Sequence, residues 1–288
     1  MPFRPKDYFK VATVGEAVSL LNKFGRKAAV LAGGTDLLVA KPPHIEYIID
    51  ISRLPLNYIK RDGRGIRIGS LASLNEIADS PLLKDEPYDV IAKSTLDMGT
   101  PITKNYATIG GNLCNAAPSA DMPPSLIALE AEARITGPLG KRKILVENFF
   151  AGPKKSVLRR GEVLTEIFVP EAPRKTKAVF LKKGRTSEDI AQVNVAARLT
   201  VNGGVCKIAK IVLGAVAPTP LRVKTVETML NGKNLEEISQ SIDSVAKKAA
   251  EETRPISDIR APAEYRRAVA EVLTKRALII LLERFKGG

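Results

Sequence analysis

A chain of 288 residues with 44% hydrophobic and 26% charged side chains can bury a stable core without disulfide staples, which excludes the disordered and cysteine-framework classes. Its late apolar run, residues 277–282, is far shorter than a bilayer span, and the charged opening MPFRPKDYFK lacks a signal-peptide apolar stretch. We therefore expect a cytoplasmic protein with no membrane insertion. The formal charge of +14 is uneven, because residues 137–185 alone hold thirteen Lys and Arg against four Glu, a local balance of +9.

Along the chain, TVGEAVSLLNKFG reads as a helix with a Thr13/Glu16 capping box, an apolar face of Ala17, Leu20, Leu21 and Phe24, and a closing Gly25. AAVLAGG and EYIIDIS read as strands around it, giving a small α/β unit over residues 1–55. NYIKRDGRGIRIGSL is a hairpin with Asp62-Gly63 at its turn. SLNEIADSPLL repeats the capping box at Ser73 and Glu76, PYDVIAKSTLDMG gives a further helix, and a helical run begins near Pro123. The strands EARIT, RKILV and EVLTEIFVP complete a second unit, residues 56–172, and the Pro- and Lys-rich EAPRKTKA marks the boundary to a third, residues 173–288. That last unit is a strand pair about Asn202-Gly203-Gly204 followed by three helical patterns, so the whole is α+β.

Cys114, Cys206 and the single His44 are too few and too scattered for a zinc or iron–sulfur ligand set, and each reads as a small buried thiol or a loop histidine. No serine elbow accompanies His44, so hydrolase chemistry is set aside. The basic segment suits a solvated face or a protein docking surface. Its only aromatics are Phe149, Phe150, Phe168 and Phe180, most of them in strand-like apolar patterns, so no nucleic-acid partner is expected.

Two Gly-Gly pairs follow apolar residues, in AGGTD at 32–36 and TIGGN at 108–112. Glycine lets backbone N–H groups approach an anion closely, and two such turns suit a pyrophosphate. Neither matches a Walker loop or a Rossmann fingerprint, so a dinucleotide would have to be held by another fold.

LAGGTDLLV followed by TIGGNLCNAAPSADMPPSLIALEA resembles the FAD-binding medium subunit of the molybdenum hydroxylases, the family of xanthine dehydrogenase and aerobic carbon monoxide dehydrogenase. KKGRTSEDIAQVNVAA, GAVAPTPLR and APAEYRRAVAEVLTKRAL resemble that family's C-terminal flavoprotein domain, so the likeness runs in order through nearly the whole chain.

The resemblance implies a two-part FAD-binding domain of the vanillyl-alcohol-oxidase (PCMH) type plus a smaller C-terminal α+β domain. It implies that Val30, Leu31, Ala32, Gly33, Gly34, Thr35, Asp36 and Leu37, with Thr108, Ile109, Gly110, Gly111 and Asn112, wrap the pyrophosphate and ribityl region through backbone N–H groups. Asp121 would accept from an adenosine ribose hydroxyl, Leu164 would pack near the cofactor, and Lys182, or its neighbour Lys183, would approach the flavin. The implied partners are a small iron–sulfur subunit with two 2Fe–2S clusters, a large molybdopterin subunit and a terminal electron acceptor. The flavin carries the redox chemistry, so no side chain is expected as acid, base or nucleophile. The alternatives are a free-standing flavin-dependent oxidoreductase of the same superfold and a basic nucleic-acid-binding or scaffold protein.

Overall fold

In the computed structural model, which describes residues 3–287, capping sets the first helix. Thr13 accepts from the Glu16 N–H to open α1 (Val14–Phe24), and Gly25 closes it at φ 54°, where a Cβ would be strained. The Glu16 carboxylate accepts from the Ala12 N–H instead of that of Thr13, so the expected capping box is half made. Ala17, Val18 and Leu21 press α1 onto a parallel sheet of β1 (Asp7–Lys10), β2 (Ala28–Leu31) and β3 (Tyr47–Asp50), in the order β1-β3-β2. β1 is additional to the expected elements. Its four residues carry too little period to read, and parallel pairing along β3 supplies their backbone partners.

The second sheet is antiparallel, in the order β4-β5-β10-β6-β7, built from β4 (Ile59–Asp62), β5 (Gly65–Gly69), β6 (Glu132–Gly137), β7 (Gly140–Leu145) and β10 (Val163–Pro170). A short ribbon of β8 (Phe150–Gly152) and β9 (Lys155–Ser156) stands beside it. The β4–β5 turn is Gly63-Arg64, one residue on from the expected pair, because the Asp62 carboxylate accepts from the Arg64 N–H and keeps Asp62 in the ladder. Ile66, Ile68, Ile135, Ile167 and Val169 point to one face and meet α3 (Leu74–Asp79), α4 (Asp89–Leu96) and α7 (Met122–Ala128). Arg160 joins this unit to the first, donating to the Asn22 and Lys23 carbonyls at the end of α1.

The third sheet, β11 (Thr176–Lys183), β12 (Val193–Asn202), β13 (Val205–Gly214) and β14 (Leu221–Arg222), begins inside the Pro/Lys-rich passage and is antiparallel throughout. Gly203 and Gly204 turn β12 into β13 at φ 58° and 75°, the left-handed pair that matches strand twist. Val195, Ala197 and Leu199 face α8 (Lys224–Leu230), α9 (Leu235–Glu251) and α10 (Ala263–Lys286), while Ala196 and Phe180 face α7. Every residue of α7 is buried. Its C-terminal end is held by cations, as the helix dipole favours: Arg198 donates to the Ala128 carbonyl, and Arg198 and Lys210 both pair with Glu130. Among the described residues no helix is long and apolar enough to cross a membrane.

The loop before α10 is fixed by Arg266, which is 2% exposed and donates to Asp258 and to the Gln192 carbonyl. The Arg260 hydrogen bond, aided by that of Arg266, holds the Asp258 carboxyl well below the usual carboxylate range. A depressed folded pKa stabilises above the unfolded value of about 4 and is lost as pH falls below it. We expect urea midpoints to drop on acidification through about pH 4, and the drop to be shallower in Asp258→Asn.

Candidate functional site

β2 ends at Leu31, and residues 32–36 turn back into the short helix α2 (Leu37–Ala40). Gly33 is forced by contact: an added Cβ would stand 1.6 Å from the Tyr106 carbonyl oxygen, so here two backbones touch. Gly34 takes φ 75°. The N–H groups of Ala32, Gly33, Gly34, Thr35 and Asp36 donate to no acceptor among the described residues. Five consecutive unspent donors, four on half-buried residues and the last on the exposed Asp36, make a cradle for an anion.

The second glycine pair is built differently, and it corrects the expected turn. Two short helices fill this region, α5 (Pro101–Tyr106) and α6 (Ile109–Asn115), and both glycines lie in the first turn of α6. Thr108 caps it by accepting from the Gly111 N–H at 3.0 Å. The remaining donors are committed inside the protein: Ile109 to the Ala72 carbonyl, Gly110 to the Ser70 carbonyl and Asn112 to the Thr108 carbonyl. Gly110 is glycine because a Cβ would fall 2.6 Å from the Ser70 oxygen. This stretch therefore supplies close packing and a wall, and the free donors belong to residues 32–36.

Between the two lies a cavity of about 820 Å³, within the size range of cofactor pockets. Val30, Ala32, Gly33, Gly34, Thr35, Asp36 and Leu37 line one side, and Thr108, Gly110, Gly111 and Asn112 another. Asp121, Leu164 and Lys182 complete the set. Leu31 and Ile109 are left out: Leu31 packs under Gly34, and Ile109 is fully buried in the core. Lys182 and not Lys183 faces the cavity, since alternation along β11 sends Lys183 to the surface. Asp121 and Lys182 meet at 2.8 Å, each with a side chain only 4% exposed. The other Asp121 oxygen accepts from Asn194 Nδ2 at 2.6 Å, and Lys182 also donates to the Asp97 carbonyl at the end of α4. Burial pushes the Asp121 carboxyl up, and Lys182 and Asn194 offset part of that rise.

Residues 2–172 match the FAD binding domain in molybdopterin dehydrogenase, and residues 178–281 match the CO dehydrogenase flavoprotein C-terminal domain. The chain belongs to the FAD-binding medium subunits of the molybdenum hydroxylases. It is 33% identical to the carbon monoxide dehydrogenase medium chain of Hydrogenophaga pseudoflava, over 94% of this chain and 95% of that one. It is 29% identical to the xanthine dehydrogenase FAD-binding subunit of Escherichia coli O157:H7, over 94% of each. The carbon monoxide dehydrogenase structure from Hydrogenophaga pseudoflava that lacks the Mo-pyranopterin moiety superposes with a TM-score of 0.92 at 32% identity, covering 97% of this chain and 98% of that one. The medium subunit is thus the flavin-bearing part of an oxidoreductase, with the α+β, two-domain architecture expected from its motifs. The residues present fit FAD: a run of unspent donors suits its pyrophosphate, and Leu37, Val30 and Leu164 offer apolar surface to its rings.

Three further residues of this medium subunit escaped the sequence reading. His44 and Cys114, read as a loop histidine and a small buried thiol, both line the cavity. Burial pushes the Cys114 thiol up to about 12, so it stays protonated at neutral pH. Asn194 is fully buried beside Asp121, and a polar residue inside the otherwise apolar run VNVAA was its only sequence signal. Removing Lys182 would strand a buried carboxylate. Lys182→Met is expected to cost about 3–5 kcal/mol in urea denaturation, and Lys182→Met/Asp121→Asn to recover most of it.

Proposed function

We propose that this subunit carries FAD along the cavity, receives electrons from an iron–sulfur subunit that is itself supplied by a molybdopterin subunit, and delivers them to a terminal acceptor. The observation that carries the proposal is the unspent N–H run of residues 32–36 opposite the wall at 108–112. In it, Ala32, Gly33, Gly34, Thr35 and Asp36 donate to the pyrophosphate, while Val30, Leu31 and Leu37 shape that side, Leu31 from beneath. Thr108, Gly110, Gly111 and Asn112, backed by Ile109, close the opposite wall. Asp121 retains lone pairs beyond those used by Lys182 and Asn194 and can accept from a ribose hydroxyl. Leu164 packs on the cofactor, and Lys182, paired with Asp121, stands beside it.

When bound, FAD supplies reversible electron storage, and the chain's own side chains orient it and exclude water. Asp121 and Lys182 neutralise each other, so the buried wall carries no net charge for the flavin to compensate. A division into residues 1–55, 56–172 and 173–288 and a place in the cytoplasm belong to the same proposal. That the relatives' complexes are named for substrates as unlike as carbon monoxide and xanthine supports a substrate chosen by another subunit.

The test is the visible spectrum of the purified chain, with the released chromophore treated by phosphodiesterase to separate FAD from FMN. A flavin spectrum yielding FMN only after that treatment is expected, and a colourless protein that refuses added FAD would overturn the reading. Gly33→Ala forces a Cβ against the Tyr106 carbonyl. It should weaken FAD binding at least about tenfold, or 1.4 kcal/mol, in equilibrium titration.

A further inference from the structure

Two faces beside the cavity differ in chemistry. One places large apolar side chains in water: Leu38 and Val39 on α2, and Ile102 and Tyr106 one turn apart on α5, with Val39 80% and Ile102 72% exposed. The other face is basic. There Lys141 on β7, Lys155 on β9, and Arg159 and Arg160 in the loop after β9 are exposed and make no ion pair among the described residues, whereas their neighbours Arg142 and Lys143 are paired.

These cations form one surface. Arg142 ties β7 to the loop by donating to the Val157 carbonyl and to Glu162. Arg160 lies over the end of α1 through the Asn22 and Lys23 carbonyls, which adds the exposed Lys23 and Arg26. At the tip of the β8–β9 ribbon, Lys154 lines the cavity and its ammonium donates to the Asn115 amide oxygen at 3.0 Å. The basic face therefore runs to the mouth of the flavin cavity.

Permanent interfaces bury apolar and aromatic side chains and are depleted in lysine, whereas brief electron-transfer encounters are small, wet and steered by charge. The apolar face suits a permanent subunit, and the basic one does not. We propose that the basic face receives an acidic electron-carrier protein as terminal acceptor, an inference that rests on the FAD reading above. A neutral small acceptor gains nothing from such a field, and a single-stranded nucleic acid would call for aromatics between the cations, where Phe149 is instead fully buried. Each encounter passes one electron to the carrier's one-electron centre, so two encounters return the reduced flavin to its oxidised form and its protons go to solvent.

The experiment uses the full chain loaded with FAD and reduced with dithionite, mixed in stopped flow with excess oxidised acidic 2Fe–2S ferredoxin as the probe. Para-benzoquinone, a neutral oxidant, is the control. The variant Lys141→Glu/Lys155→Glu/Arg159→Glu leaves the cavity lining intact. The ferredoxin rate of the unaltered chain should fall steeply with added salt, and the variant should be slower at low salt by tenfold or more, with its quinone rate and FAD content unchanged. Equal ferredoxin rates for the two FAD-loaded proteins would overturn this inference alone. So would loss of oligonucleotide binding in the variant without any change in ferredoxin rate. A chain that holds no FAD would overturn the functional reading together with it.

Discussion

The backbone contact at Gly33 governs the site. With the Tyr106 carbonyl 1.6 Å from where a Cβ would stand, the turn after β2 can close on the end of α5 only if this position is glycine. The same device recurs at Gly110 against Ser70, so both rims of the cavity are set by main chain meeting main chain. A side chain at either position would force the two main chains apart. The cavity is therefore a consequence of how the sheets dock, and strands of all three sheets supply lining residues: Val30 on β2, Leu164 on β10 and Lys182 on β11.

Docking also decides where donors remain free. An unpaired N–H buried from water costs about 1–3 kcal/mol, so a folded chain normally spends its donors. Around α6 it does so, through Thr108, Ser70 and Ala72. Across the cavity, the N–H groups of residues 32–36 stay unspent, four of them on half-buried residues and the last on the exposed Asp36. Two sequence motifs that look alike thus have unlike duties: one presents donors and the other consumes them to keep a helix close.

Legibility in the sequence follows the same division. Strong local signals read correctly, among them the Ser73/Glu76 box, the Gly203-Gly204 turn and the long helix at the C-terminal end, because each is decided by residues a few positions apart. β1, α5 and α6 did not, since four to seven residues carry too little period and their partners lie far along the chain. The candidate site was legible through its motifs, yet Leu31 and Ile109 turned inward because neighbours on a strand or helix point in different directions. His44 and Cys114 were invisible for the opposite reason: nothing in their local sequence says that a fold will carry them to the same cavity, and the polar Asn194 in its apolar run gives no hint that its partner is Asp121.

The buried pair of Asp121 and Lys182 raises a final question, since a well-packed apolar pair often serves stability as well. Its value lies in register. Along β11, Ala178, Phe180 and Lys182 face the cofactor unit, while Val179 and Leu181 face the C-terminal helices. A slip by one residue in one direction sets Leu181 beside Asp121 and leaves a buried carboxylate without its cation. A slip in the other direction keeps a lysine there, but it drives Val179 into the space that the fully buried Ala178 fills. Charge excludes one error and volume the other, so the cavity wall supplied by the third sheet has a single arrangement although its sequence offers two adjacent lysines.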